Sequence, residues 1–275
     1  MTVVLFLAVR LVGAALISTA SASVAPFLDA AAVLLSGLLP FCLFRRRLTP
    51  DDPTVTLMPP QREHLSYLLL LPLFIVSVSL LASTLTYIGS LMGYENAILL
   101  PSSRLRLVVS AAVLPSLVEE LVCRYLCLVP FASGRGTSAV WISAILFALL
   151  HADPVQIPYA LFAGLILGAL AVQTKSIWIP MLFHLANNLT SVAFFLLGDG
   201  VGANLLEGSL LALAALSIPF ALRPRTKESP GPLASIWRTL RPDASDAKRI
   251  LDLLLSPLMI PVLLCLWLTA ITALS

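Results

Sequence analysis

Glu119, Glu120 and Arg124 sit in the run LVEELVCRYL, residues 117–126, among leucine, valine, cysteine and tyrosine. Charged side chains at the centre of an apolar helix cost at least about 2.5–3.5 kcal/mol each on insertion scales, so they persist where they face a protein interior or a wet cavity. Glu120 and Arg124 are four residues apart with the acid first, the favourable order for an ion pair along one helix face. Glu119 is rotated by about 100° from Glu120, points elsewhere and has no local cation. Two later segments carry groups that could meet it. FALLH places Phe147 and His151 on one helix face, and HLANN places His184 and Asn188 on one face, each pair four apart.

One unpaired carboxylate, two imidazoles and a carboxamide suit the hydrolysis of an amide bond. A carboxylate and an imidazole sharing a water can deprotonate it for attack on a carbonyl. A histidine and an asparagine amide can then donate hydrogen bonds to the oxyanion that forms. A second reading uses the same groups differently. His151, His184 and Glu119 make a His₂Glu set, a known catalytic zinc combination whose open position carries the water. Spacing alone does not choose between no cofactor and zinc.

These residues need spans to position them. The 275-residue chain is 59% hydrophobic and 11% charged, the balance of a polytopic membrane protein rather than a soluble domain. About nine stretches approach the roughly 20 apolar residues of a crossing: near 3–23, 26–44, 66–92, 105–131, 137–151, 158–174, 177–197, 202–221 and 250–272. The expected fold is an all-α transmembrane bundle of eight or nine spans, one integral membrane domain over 1–275. Residues 1–92 form accessory spans, 105–197 the motif-bearing core of four spans, and 202–275 the C-terminal spans with a basic loop at 222–249. The first stretch, with Arg10 inside it and no small-residue cleavage site, reads as a retained span.

Arg45, Arg46, Arg47, Arg62, Arg135, Lys175, Arg223, Arg225, Lys227, Arg238, Arg241, Lys248 and Arg249 fall in loops on one side, against Arg104 and Arg106 on the other. By the positive-inside rule that side and the N-terminus are expected in the cytoplasm. Pro115 predicts a kink just before the glutamates. Asp153, Pro154 and Pro158 predict a tight junction between the fifth and sixth spans, and Gly164 and Gly168 a close helix approach within the protein. Cys42, Cys123, Cys127 and Cys265 form no CxxC pair, and Cys123 and Cys127, four apart on one helix face, read as small buried hydrophobes.

The ordered series Glu119-Glu120-x-x-x-Arg124, Phe147-x-x-x-His151 and His184-x-x-x-Asn188 resembles the three motifs of the CAAX prenyl protease and bacteriocin-processing (CPBP, or Abi) family of intramembrane proteases. The resemblance covers roughly residues 105–197. It implies an endopeptidase, of metallo or glutamate type, that cleaves a membrane-associated and sometimes lipidated protein or peptide; it implies no nucleic-acid partner. It further implies Glu119 and His151 as the water-activating pair, His184 and Asn188 as the oxyanion hole, and Glu120 with Arg124 as a structural ion pair supported by Phe147. Two other classes compete. A proton-coupled transporter also carries intramembrane ionisable groups, although no inverted repeat accompanies them here. A non-catalytic scaffold or immunity protein could keep the fold without the chemistry.

Overall fold

In the computed structural model the described residues are 2–21, 24–44, 54–94, 103–132, 136–151, 153–224, 230–257, 259–264 and 267. Among them there is no strand. The helices are α1 (Thr2–Thr19), α2 (Ala25–Phe44), α3 (Leu71–Leu91), α4 (Arg104–Val108), α5 (Leu114–Glu120), α6 (Thr137–Leu149), α7 (Gln156–Thr174), α8 (Trp178–Leu197), α9 (Val201–Leu222), α10 (Pro232–Leu240) and α11 (Ala244–Leu254). A 3₁₀ stretch, Arg62–Leu70, leads into α3. Six described helical runs are long and apolar enough to cross a bilayer, and α6, at 13 residues, is a shorter apolar helix. The chain is a polytopic helical membrane protein.

Within the expected stretch at 250–272 the described residues do not form one continuous helix. Its first residues end α11, whose charged face and apolar face mark a helix lying along a surface rather than across a membrane. Helix α11 stops at Leu254 and the chain turns over Leu255–Pro257. Proline cannot continue the hydrogen-bond ladder. Helical residues resume at 259–264, and most of the remainder, with Cys265, lies outside the described residues. The same holds for Arg45, Arg46, Arg47, Arg135, Arg225 and Lys227 of the basic loops.

The run that carries the glutamates is continuous but not uniform. Helix α4 passes into a π segment at Val109–Val113, then α5, then a second π segment at Leu121–Cys127 and a 3₁₀ turn at Val129–Phe131. Pro115 lacks an amide hydrogen and stands in the first turn of α5, so the widened turn just before it takes up the mismatch that the sequence predicts as a kink. The second π turn starts one residue after Glu120. Such turns concentrate at functional sites.

Helices α6 and α7 pack most closely because α7 presents glycine to α6. A Cβ on Gly164 would lie 3.1 Å from Ala144 Cα and 3.1 Å from Phe147 Cδ1; one on Gly168 would lie 3.1 Å from Val140 Cγ1. This is the intramolecular role expected of the GxxxG pattern. Asp153 accepts hydrogen bonds from the Val155 and Gln156 amides at 2.8 and 3.0 Å and so caps the start of α7. Beside it, partial burial and the Asp153 carboxylate raise the Tyr94 phenol above its ordinary pKa.

At the opposite end of the bundle the segment Val55–Met58 straps the junction of α7 and α8. The Thr56 amide donates to Lys175 O (3.1 Å) and the Ile177 amide to Thr56 O (3.2 Å). The Trp178 indole donates to Leu57 O (2.9 Å), and the Ser176 hydroxyl to Met58 O (2.7 Å). Val55 is fully buried against Leu128, Val140 and Ile177. Helices α10 and α11 join the same end: Trp141 Nε1 donates to Leu240 O (2.8 Å), and the Ser138 amide at the start of α6 donates to Asp246 (3.3 Å).

Gly164→Val tests whether the α6–α7 contact positions α6. Overpacking of this kind costs about 1–3 kcal/mol, so the thermal unfolding midpoint of the protein in detergent should fall measurably. Gly208→Val, at a glycine with open space around it, should leave that midpoint within error.

Candidate active site

Three ridges of side chains, each with four-residue spacing, meet inside the bundle. Ser116, Glu120 and Arg124 run along α5 and the π segment after it; Ser143 and Phe147 run along α6, with His151 in the turn that follows it; His184 and Asn188 run along α8. Arg124 Nε lies 3.0 Å from Glu120 Oε2, and both side chains are completely buried. The other Glu120 oxygen, Oε1, accepts from His184 Nδ1 at 3.1 Å. One carboxylate therefore holds a guanidinium of its own helix and an imidazole of another. Arg124 Nη1 donates to Ser143 Oγ (2.9 Å), whose hydroxyl donates to Cys123 O (2.8 Å), which ties α6 to the π segment.

The far nitrogen of His184, Nε2, faces Glu119 Oε2 at 3.9 Å. That is too long for a hydrogen bond. Glu119 Oε2 is buried and has no hydrogen-bond partner, while the side chain as a whole keeps 19% of its surface. The carboxylate without a local cation thus finds an imidazole on a different span. Because Glu120 accepts at Nδ1, that nitrogen carries the proton; in the neutral ring Nε2 is left with its lone pair toward Glu119.

His151 Nδ1 lies 3.0 Å from the Phe147 carbonyl. A carbonyl only accepts, so this nitrogen also carries its proton and Nε2 is the free one. Phe147 links the two histidines. Its ring is edge-on to His151 at 5.0 Å between centroids and edge-on to His184 at 5.5 Å, while Arg124 Cζ stands over it at 4.9 Å. A guanidinium over a ring face and further rings set against that ring fit the quadrupole of an aromatic. Phe147 is itself 2% exposed.

Asn188 lies one turn beyond His184. Its amide donates to Ser116 Oγ at 3.5 Å and accepts from Asn187 Nδ2 at 3.4 Å, long contacts that leave it weakly held. The seven motif residues therefore come together on three helical runs, with Glu119, Glu120 and His184 in one chain of contacts, and Phe147 carrying that chain to His151. Ser116 and Ser143 escaped the sequence reading, although each precedes a motif residue by four, the spacing that defines the other pairs. Cys123 and Cys127 are buried among apolar side chains.

Among the described residues no group of three or more His, Cys, Asp or Glu side chains is arranged to hold a metal ion. His184 spends Nδ1 on Glu120, which would suit an orienting contact behind a metal ligand, but the three donors of the His₂Glu set are not gathered around a common point.

The buried pair sets a stability test. Arg124→Met leaves the Glu120 carboxylate without its guanidinium, and breaking a buried pair from one side costs about 3–5 kcal/mol. The thermal midpoint in detergent should drop sharply for Arg124→Met. It should recover part of the loss in the double variant Glu120→Gln, Arg124→Met.

Comparison with known proteins gives one family. Neither the curated proteins nor the solved structures contain a match to the chain. Residues 101–190 match the family model described as type II CAAX prenyl endopeptidase Rce1-like. That interval, about a third of the chain, holds α4 to the first two thirds of α8 and all seven motif residues, and over it the chain is similar to the Rce1-like CAAX prenyl endopeptidases.

Proposed function

We propose that the protein is an intramembrane endopeptidase of the CAAX type in which Glu119 activates the attacking water. The observation that carries this reading is the gap between Glu119 Oε2 and His184 Nε2: 3.9 Å, flanked by a buried carboxylate oxygen that bonds to nothing else. A water seated beside that gap reaches both atoms at hydrogen-bond distance. Glu119 takes its proton as the oxygen adds to the scissile carbonyl, and returns the proton to the departing amine as the tetrahedral intermediate collapses.

His184 serves the oxyanion. The step asks His184 to hold a proton on each ring nitrogen as the oxyanion forms. The imidazolium then donates Nδ1–H to Glu120 and Nε2–H to the developing negative oxygen. Asn188, weakly held one turn away, supplies a second donor. His151 presents its free Nε2 to the same water or to the leaving group. The substrate is a membrane-associated protein or peptide, and a lipidated tail fits the family. The end of the bundle that bears Lys175, Arg223, Arg238 and Arg241 faces the cytoplasm by the positive-inside rule.

Cleavage of a lipidated tail peptide and of membrane-protein leader peptides by the purified chain tests the reading. Glu119→Gln should lower kcat by about 10²–10⁴-fold, the range for losing a general base. A strong chelator should leave the wild-type rate unchanged. Inactivation by chelator with recovery on adding zinc would replace the glutamate mechanism by a metal one, and undiminished cleavage by Glu119→Gln would remove the site altogether. Asn188→Ala should reduce kcat by about 10²–10³-fold with little change in KM.

A further inference from the structure

Two cavities lie side by side at the strapped end of the bundle, away from the glutamates. The larger, about 420 Å³, is walled by Phe74 of α3, Phe162 and Leu170 of α7, Phe183 of α8 and Ile236 of α10, with the Ser77 hydroxyl and the Trp237 indole N–H its polar groups. The smaller, about 260 Å³, is lined by Ser66, Phe220, Arg223, Pro224 and Pro232. Leu70 borders both, and the successive residues Pro232 and Leu233 of α10 stand one in each wall. Together they make an apolar slot that opens beside a compartment holding a guanidinium. No carboxylate lines either among the described residues.

Their position along the bundle matters as much as their lining. Leu70 and Leu71 mark where the long α3 span begins, and Leu222 and Arg223 mark where α9 ends. Helix α10 lies across that level with Ile236 buried, Leu233 and Trp237 exposed at 41% and 67%, and Arg238 in its last turn. An exposed tryptophan beside arginine on a short amphipathic helix belongs at the level of lipid headgroups. The chain reaches this helix over Gly231, where a Cβ would meet Arg223 O at 2.7 Å, so α10 is held directly above the end of α9.

We infer that this paired cavity is a binding site for one phospholipid of the surrounding bilayer, with an anionic headgroup at Arg223 and one acyl chain in the slot under α10. The inference goes beyond the proteolytic reading and does not depend on it. The slot takes a hydrocarbon chain because its walls are apolar apart from the Ser77 hydroxyl and the Trp237 indole N–H, and a polar group there would be poorly partnered. The headgroup compartment selects an anion because Arg223 is the charge it offers. An acyl chain there packs on Phe183, whose ring lies 5.4 Å from that of Phe74, one residue before His184. The bound lipid thereby braces α8 at its join with the candidate active site.

The test is the thermal unfolding midpoint of the delipidated full chain in detergent, titrated with dioleoyl phosphatidylglycerol or dioleoyl phosphatidylcholine, with inorganic phosphate and oleate as controls. Phosphatidylglycerol should raise the midpoint saturably at about fivefold lower concentration than phosphatidylcholine, the preference one basic residue near a membrane surface provides. Phosphate alone should have no effect. Arg223→Gln should equalise the two lipids, and Ser77→Phe, which fills the slot, should remove the saturable shift for both. If Ser77→Phe does not fold, Arg223→Gln decides alone. Equal responses to the two lipids in the wild type, or a preference unaltered by Arg223→Gln, overturns the site; so does a response to oleate equal to that to phosphatidylglycerol, which would leave a slot that binds any chain.

Discussion

The carboxylate of Glu120 is the fixed point of the bundle. It is completely buried, with Arg124 on one oxygen and His184 on the other. An ion in such a place loses its water at an effective penalty of several kcal/mol, which only close and well-directed partners offset. Those partners come from two separate spans, and Arg124 passes the constraint to a third through Ser143 and the face of Phe147. Sliding any one of the three runs by a turn would strand a charge. The register of the motif-bearing spans is therefore fixed by electrostatics, where lipid and leucine alone would leave packing between similar apolar faces to decide it.

Two glutamates adjacent in sequence do different work because an α-helix rotates them apart. Glu120 turns inward to the network that holds the helices together. Glu119 turns to the other end of the same imidazole and keeps an unpartnered oxygen. The π turn that begins at Leu121 follows immediately and widens the helix between Glu120 and Arg124, on the side where the guanidinium must lie flat over Phe147. A held nitrogen on one side of His184 and an unpartnered carboxylate oxygen on the other divide the two glutamates between a structural contact and a free one.

Much of this was legible in the residues. The four-residue spacings that join Glu120 to Arg124, Phe147 to His151 and His184 to Asn188 are properties of a helix surface, and the structure displays each as a ridge. The bundle itself follows from long apolar runs, since only helices satisfy their backbone within lipid. Contacts between spans were not legible. Nothing in the spacing says that His184 would turn Nδ1 to Glu120 and Nε2 to Glu119, because that depends on how α8 is rotated against α5. Nor did the pattern distinguish the surface helix α11 from the start of a crossing: residues 250–254 are apolar except for Asp252, which shares the helix with Asp246, Lys248 and Arg249 upstream. Ser143 and Ser116 escaped notice because serine is unremarkable in any helix until its partner is known.

The strap at Val55–Met58 has a consequence for how the molecule is made. Its partners at Lys175–Trp178 lie 119 residues further along, counted from Thr56 to Lys175. A growing chain inserts three spans and the whole glutamate-bearing run before the ribosome has delivered the other half of that contact, and at about 5–20 residues per second the wait lasts many seconds. Until then Val55 can meet Leu128 and Val140 but not Ile177. Closure of the junction is consequently a late event of biogenesis, and the N-terminal stretch, outside the interval that matches the family, is what completes it.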